Sequence, residues 1–215
     1  KEVLNIVNSV ESSRVKYVMY TAGSYANLDR GIEYQAKLIK IVHDNLSSID
    51  IRQHHLTTMP PKDYKKLEIL KTAGLDSIAY DLELFNENLF KYYCPGKQEF
   101  FGYSNFLPAV ENALKIFGKN NVKVGFVGGL EPVESLQEGM ELFSSRGASI
   151  AINVFHPDPK TPLGNYARPT VDYLKAMVKA QRDVYNKYNV EPVFPVGGRI
   201  SSLDTEVYRV LFNHY

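Results

Sequence analysis

Two carboxylates, Asp81 and Glu83, stand two residues apart in the run Tyr80-Asp81-Leu82-Glu83-Leu84. Successive side chains of an extended strand alternate between faces, so both acids share one side. Turned inward, the pair could hold a cationic amine or ribose hydroxyls, because buried carboxylates without partners are costly. Turned outward, both would be solvated, and Leu82 and Leu84 would face the core. A second polar run, Arg52-Gln53-His54-His55, precedes Thr57 and Thr58. Alternation puts either Arg52 with His54, or Gln53 with His55, on one side. Two adjacent histidines point apart and do not make a metal site; each is a hydrogen-bonded strand residue or a candidate base.

Other chemistry-bearing stretches have a common look: a β-rich run that breaks into small or stiff residues. Thr21-Ala22-Gly23-Ser24 either makes a tight turn or lets freed N–H groups approach a carboxylate or phosphate. Val124-Gly125-Phe126-Val127-Gly128-Gly129 runs into a glycine pair without the Gly-x-Gly-x-x-Gly spacing or a Walker lysine. Asn153, Phe155, His156 and Pro157 lead into a loop stiffened by Pro157, Pro159 and Pro162. Gly197-Gly198-Arg199 is a turn that leaves Arg199 able to meet an anion. Cys94, within Tyr92-Tyr93-Cys94-Pro95-Gly96-Lys97, reads as a structural thiol in a loop, since no activating base can be placed beside it.

The elements that must position these residues alternate between strand and helix. Strands are expected at Val15–Tyr20, Ile49–Leu56, Ser77–Leu84, Val122–Val127 and Ser149–Phe155, with weaker candidates at 3–7 and 193–196. Helical periodicity marks Ile32–Leu46, Tyr64–Ala73, Phe106–Phe117, Leu136–Ser145 and Val171–Tyr188. Gly74, Gly118 and Gly147 read as helix stops, and Ser104, Glu134–Ser135 and Thr170 as starts. Repeated strand–helix units imply right-handed crossovers and a parallel sheet. Either an open doubly wound sheet or a barrel satisfies that. Polar Arg52, Gln53, His54, Asp81, Glu83 and Asn153 among the apolar strand residues favour an α/β fold of the partial parallel (β/α) barrel type, one domain over residues 1–215. In such barrels the chemistry gathers where strands end.

Bulk properties remove several classes. With 25 basic and 24 acidic residues the formal net charge is +1, which gives no electrostatic reason for a nucleic-acid or anionic-membrane partner. No apolar run is long enough to span a bilayer. A single cysteine, Cys94, cannot form an intramolecular disulfide, make a zinc site or hold a cluster, and it fits a reducing cytoplasm. The chain opens at Lys1 in a charged, helix-like stretch without an initiator Met, as expected if an N-terminal part lies outside this sequence.

From Val15 to about Tyr173, the order of these motifs resembles the radical S-adenosylmethionine (SAM) superfamily, and its details lean toward the biotin-synthase-like branch. Thr21-Ala22-Gly23-Ser24 resembles the Gly-Gly-Glu motif that meets the SAM amino group, with Ser24 in place of the acid. Asp76 through Glu83 is similar to the fourth-strand segment that contacts the SAM ribose or carboxylate, and Val124 through Glu131 to the motif flanking adenine. Phe155 through Gly164 is similar to the sixth-strand Pro-x-x-Thr-Pro-Leu region, and Leu70-Lys71-Thr72-Ala73-Gly74 to a helix end of that family.

The resemblance implies a barrel that binds SAM beside a [4Fe–4S] cluster and generates a 5′-deoxyadenosyl radical for hydrogen abstraction from a small substrate. It implies that Ala22, Gly23, Ser24, Gln53, Asp81, Glu83, Gly125, Gly128, Asn153, Phe155, His156 and Pro157 face the cofactor, and Arg52, His54 and Arg199 the substrate. The Cys-x-x-x-Cys-x-x-Cys loop that holds the cluster in that family is absent from these residues. The competing readings are another (β/α) barrel enzyme, such as a lyase, and a catalytically silent ligand-binding barrel.

Overall fold

Among the described residues, five strands lie side by side in chain order: β1 (Tyr17–Thr21), β2 (Gln53–Thr57), β3 (Ser77–Glu83), β4 (Val122–Gly128) and β5 (Ser149–Val154). All four neighbouring pairs are parallel. The computed structural model describes Glu2, Asn5, Ile6, Ser9 and residues 15–46 and 49–191. The order decides between the two architectures left open by the sequence. A doubly wound sheet reverses direction once and carries helices on both faces. Here the order never reverses, so right-handed crossovers put every helix on the same side. The result is a half-barrel with helices outside and a lumen inside.

Register fixes which side chains face where. Val18, His54 and Leu56 align with Ile78, Val122, Val124 and Ile150 toward the helices, and Tyr80, Phe126 and Ile152 continue those rows. Leu56, Ile78, Tyr80, Val122, Val124, Phe126 and Ile152 are fully buried there. The alternate residues face the lumen: Thr21, Thr57, Ala79, Lys123 and Ser149 form one row, and Asp81, Gly125 and Ala151 the next.

Beyond the few helical residues described near the N-terminus, the described helices are α1 (Leu28–Asn45), α2 (Leu67–Thr72), α3 (Glu87–Tyr93), α4 (Pro95–Phe100), α5 (Phe106–Phe117), α6 (Val133–Ser144) and α7 (Val171–Tyr188). In α1, Ile32, Ala36, Ile39 and Val42 recur every three or four residues and are buried, while the Asn27 side chain accepts the Arg30 N–H at its start. Burying each large aliphatic side chain contributes about 1.5–3 kcal/mol. Helix α2 ends at Gly74, whose φ of +99° few other residues adopt readily. Thr170 caps α7 as expected, its side chain accepting the Tyr173 N–H.

The structure corrects some expectations. The stretch around Cys94 is two short helices rather than a loop; Pro95 opens α4, where its missing N–H costs nothing. Asn105 and Pro132, not Ser104 or Glu134, stand at the starts of α5 and α6. Of the weak strand candidate at 3–7 only Asn5 and Ile6 are described, and both are helical. The candidate at 193–196 and Arg199 lie outside the described residues.

Candidate functional site

The carboxyl ends of the strands gather at one mouth, and β3 supplies its charge. Between Asp81 and Glu83 the β3–β4 register slips: Asp81 pairs with Gly125, but Glu83 pairs with Phe126. Such a bulge re-aims side chains at a sheet rim. Glu83 carries the cost, with φ +74°, a conformation that non-glycine residues rarely hold. Lys97 of α4 reaches across the turn. Its Nζ donates to the Asp81 carbonyl at 2.7 Å and to Glu83 Oε1 at 2.5 Å. Glu131 clamps the loop that follows, accepting the Phe85 and Asn86 N–H groups at 2.8 and 2.9 Å and the Ser135 hydroxyl at 2.7 Å.

Gly125 is required by this arrangement. A Cβ there would come within 2.0 Å of Asp81 Oδ1 and 3.3 Å of its Cα. Burial first, and then the neighbouring Glu83 charge, raise the Asp81 carboxyl above the ordinary carboxylate range; Lys97 and Lys123 pull the other way. Asp81 is therefore a carboxylate whose ionised form needs a cation.

Two cavities open at the mouth, and Lys97 lines both. The first, of about 150 Å³, is bounded by Thr21, Ala22, Gly23 and Ser24 from β1 and its loop, Thr57 to Met59 from β2, and Asp81. Hydroxyls and a carboxylate dominate it. The second, of about 340 Å³, is bounded by Glu83, Leu84, Tyr93, Cys94, Val127, Leu130, Phe155 and Leu163, and is mainly apolar. Burial pushes the Cys94 thiol up to about 11, so it is a neutral group in that wall.

The residues singled out in the sequence divide accordingly. Ala22, Gly23, Ser24 and Asp81 surround the polar cavity; Glu83 and Phe155 line the apolar one. Asn153 is exposed on the lumen side, opposite Val127. Gln53 lies deeper in the lumen, where its Nε2 donates to Ser77 Oγ at 2.9 Å. Gly128 faces the helices, since a Cβ there would meet the Met177 sulfur at 2.2 Å. His156 is exposed and 3.4 Å from an Arg168 nitrogen, and neither it nor Pro157 lines either cavity.

Arg52 and His54 do not reach the mouth. Arg52 is exposed at the start of β2, where its N–H bonds Lys16. His54 is buried on the helix side, with Nδ1 2.8 Å from the Tyr20 hydroxyl and its ring 5.2 Å from His43. The lumen-facing histidine is His55, whose Nδ1 is 2.7 Å from Ser77 Oγ. Burial, with a smaller push from Lys123, takes the His55 ring down to about 3. Lys97 was missed in the sequence because it is carried by a helix after the strand rather than by the strand end. The one signal for it was Pro95 at a helix start.

Comparison with known proteins gives the frame for this geometry. No family model matches the chain. A bacteriochlorophyllide c C-7(1)-hydroxylase from Chlorobaculum limnaeum is 32% identical over 160 residues, covering 71% of this chain and 40% of the hydroxylase. The FeFe-hydrogenase maturase HydG from Carboxydothermus hydrogenoformans superposes with a TM-score of 0.68 at 16% identity, over 96% of this chain and 48% of HydG. Methylornithine synthase (PylB) gives 0.63 at 15% identity, over 99% of this chain and 71% of that one. Both solved structures are radical SAM enzymes, and the hydroxylase is of the same type. The chain belongs to the radical SAM superfamily. It spans less than half the length of the hydroxylase relative.

Within this radical SAM half-barrel, the donor set at the mouth fits one of the superfamily's two cofactors. Asp81 and the hydroxyls of Thr21, Ser24 and Thr57 match an amine- and hydroxyl-bearing ligand, and Gly125 keeps the space that the Asp81 carboxylate needs. The iron–sulfur cluster does not fit these residues. Cys94 is the single cysteine of the 215 residues, and among the described residues no three His, Cys, Asp or Glu side chains gather as metal ligands.

Proposed function

We propose that this chain forms the SAM-facing wall of a radical SAM enzyme acting on a small-molecule substrate. The observation that carries the reading is the convergence of Thr21–Ser24, Thr57 and Asp81 around one polar cavity at the strand ends. SAM, when bound beside a [4Fe–4S] cluster, supplies the radical chemistry; the protein binds, orients and excludes water. Asp81 neutralises an ammonium group, and Thr21 and Thr57 accept or donate to hydroxyls. Lys97 keeps Glu83 in its bulged conformation and offers the mouth its positive charge. A cluster in such an enzyme would take its thiolates from outside these 215 residues, because Cys94 stands alone. A single thiol fits a reducing cytoplasm. Among the described residues no helix is long and apolar enough to cross a membrane.

For the substrate, the hydroxylase relative is named for a bacteriochlorophyllide. A flat, chlorin-type substrate is the reading that its name favours.

Calorimetric titration of the full-length protein with SAM tests the cofactor assignment. Asp81→Ala and Glu83→Ala should each weaken binding about tenfold, the loss of one charge-assisted contact. Unchanged affinity in both removes them from the ligand shell. An anaerobic assay for 5′-deoxyadenosine then tests the radical chemistry; its absence from a cluster-loaded protein would leave only a SAM-binding barrel.

A further inference from the structure

We propose that Tyr173, at the start of α7, is a positioning residue of the cofactor site: its hydroxyl aims Leu130 at the cofactor's nucleoside by bonding the backbone on either side of that leucine. The proposal rests on the radical SAM reading, in which the end of β4 meets the nucleoside, and names the group that holds this wall in place.

The β4–β5 ladder ends at Gly128 and Val154. Past it, the Tyr173 hydroxyl takes over. It accepts the Gly129 N–H at 3.0 Å and donates to the Glu131 carbonyl at 2.8 Å. A hydroxyl has one proton to give, so these two partners fix its direction. Leu130 is the residue between them, and its side chain lines the apolar cavity with Val127 and Leu84. Two bonds from one side chain bracket the peptide units that carry Leu130, and so set where it points. Tyr173 lines neither cavity itself and acts through its neighbours.

The tyrosine is anchored in turn. Its own N–H bonds the Thr170 side chain at 3.2 Å, in the cap of α7. Pro169, one residue earlier, packs so closely on Gly129 that a Cβ there would lie 2.2 Å from the proline Cγ. Burial raises the Tyr173 phenol; the Gly129 N–H opposes this and Glu131 and Glu134 add to it, so the proton it donates stays in place.

Glu131 carries the hold across to β3. Its carboxylate accepts the N–H groups of Phe85 and Asn86, the two residues that follow Leu84. Tyr173 therefore reaches two walls of the cavity, Leu130 directly and Leu84 through Glu131. Apolar walls act only at close range: a gap of about 0.5–1 Å forfeits roughly a quarter to a half of each contact. A hold to within about 0.5 Å is what a binding wall needs from the groups behind it.

The test compares SAM with 5′-methylthioadenosine, which keeps the nucleoside and lacks the amino acid, by calorimetric titration of the full-length protein. Tyr173→Phe keeps the ring and removes the hydroxyl, and should weaken both ligands about tenfold. Asp81→Ala should weaken SAM by a similar factor and leave 5′-methylthioadenosine within about twofold, because that ligand has no ammonium group. Leu130→Ala should weaken both ligands, and the double variant with Tyr173→Phe should lose about threefold less than the two single losses combined, since one residue acts through the other. Amide exchange without ligand should speed up at Gly129 in Tyr173→Phe and stay unchanged at Val124, inside the ladder. Affinity for 5′-methylthioadenosine within about twofold of wild type in Tyr173→Phe overturns the proposal, as does strict additivity with Leu130→Ala. Wild-type protein that takes up neither ligand overturns the cofactor reading itself, and this assignment with it.

Discussion

Lys97 Nζ donates to Glu83 Oε1, fourteen positions earlier and on the far side of helix α3 in the chain, at 2.5 Å, and its second bond goes to the Asp81 carbonyl at 2.7 Å. One ammonium group thus pins both ends of the bulge that aims the acids of β3. The side chains are 24% and 27% exposed, so water screens the pair only in part. Lys97→Met leaves a half-buried carboxylate and a carbonyl without their donor, and should cost about 1–3 kcal/mol in urea unfolding. The double variant Lys97→Met with Glu83→Gln should lose about 1 kcal/mol less than the sum of the singles. Strict additivity would mean that the pair does not hold the bulge.

Asp81 should set a pH dependence opposite in sign to that of a salt-bridged acid. Burial and Glu83 raise its carboxyl, so the folded state keeps a proton that the unfolded chain has already released. The stability it contributes is present below the ordinary carboxylate range and is lost as pH rises through the raised value. Asp81→Asn should therefore match wild type in strong acid and become the more stable protein by neutral pH, followed by urea midpoints across that interval. SAM binding should run the other way, weaker by about tenfold in the variant at neutral pH, because the ammonium loses its carboxylate.

His55 gives the other limb. Its ring is held down to about 3, against 6.5 for an ordinary histidine. The unfolded chain takes up that proton and the folded one does not, so stability is full above about 6.5 and falls with pH down to about 3. A one-proton linkage has a slope of about 1.4 kcal/mol per pH unit. His55→Gln should remove one proton's worth of slope from chemical denaturation measured over that interval. A slope unchanged from wild type would show that His55 titrates normally.

Gly125→Ala inserts a methyl group 2.0 Å from Asp81 Oδ1. The carboxylate can swing aside, but the Asp81 Cα at 3.3 Å cannot move without disturbing the β3–β4 ladder. The expected cost is about 1–3 kcal/mol of stability. SAM affinity should fall with it, measured by thermal unfolding and by calorimetric titration.

The scaffold was readable in the sequence because its signals are local. Four of the five strand runs are short, mainly apolar stretches, and glycines at 74, 118 and 147 each adopt a positive φ near a helix end. The ordering of small and charged residues at the strand ends pointed to the mouth. What could not be read was parity and reach. Arg52-Gln53-His54-His55 is polar at every position, so alternation alone does not say which two face inward; the partners Tyr20 and Ser77, far off in sequence, decide it. Gly128 looked like a ligand cradle because its role, giving room to Met177, depends on a helix nearly fifty residues later. The bulge at Glu83 has no local signature and exists through Lys97 and the neighbouring strand.

The unbroken strand order has a kinetic meaning as well. Each strand pairs with the one made just before it, so closing any one ladder requires only the crossover between neighbours, and loop-closure entropy stays small at every step. Assembly can then grow outward from β3 and β4, the longest of the described strands, each paired on both sides. Amide exchange in native protein should be slow at Tyr80 and Val124, in the middle of those ladders. The acids of β3 therefore stand on a strand held from both neighbours, which keeps that wall of the polar cavity rigid.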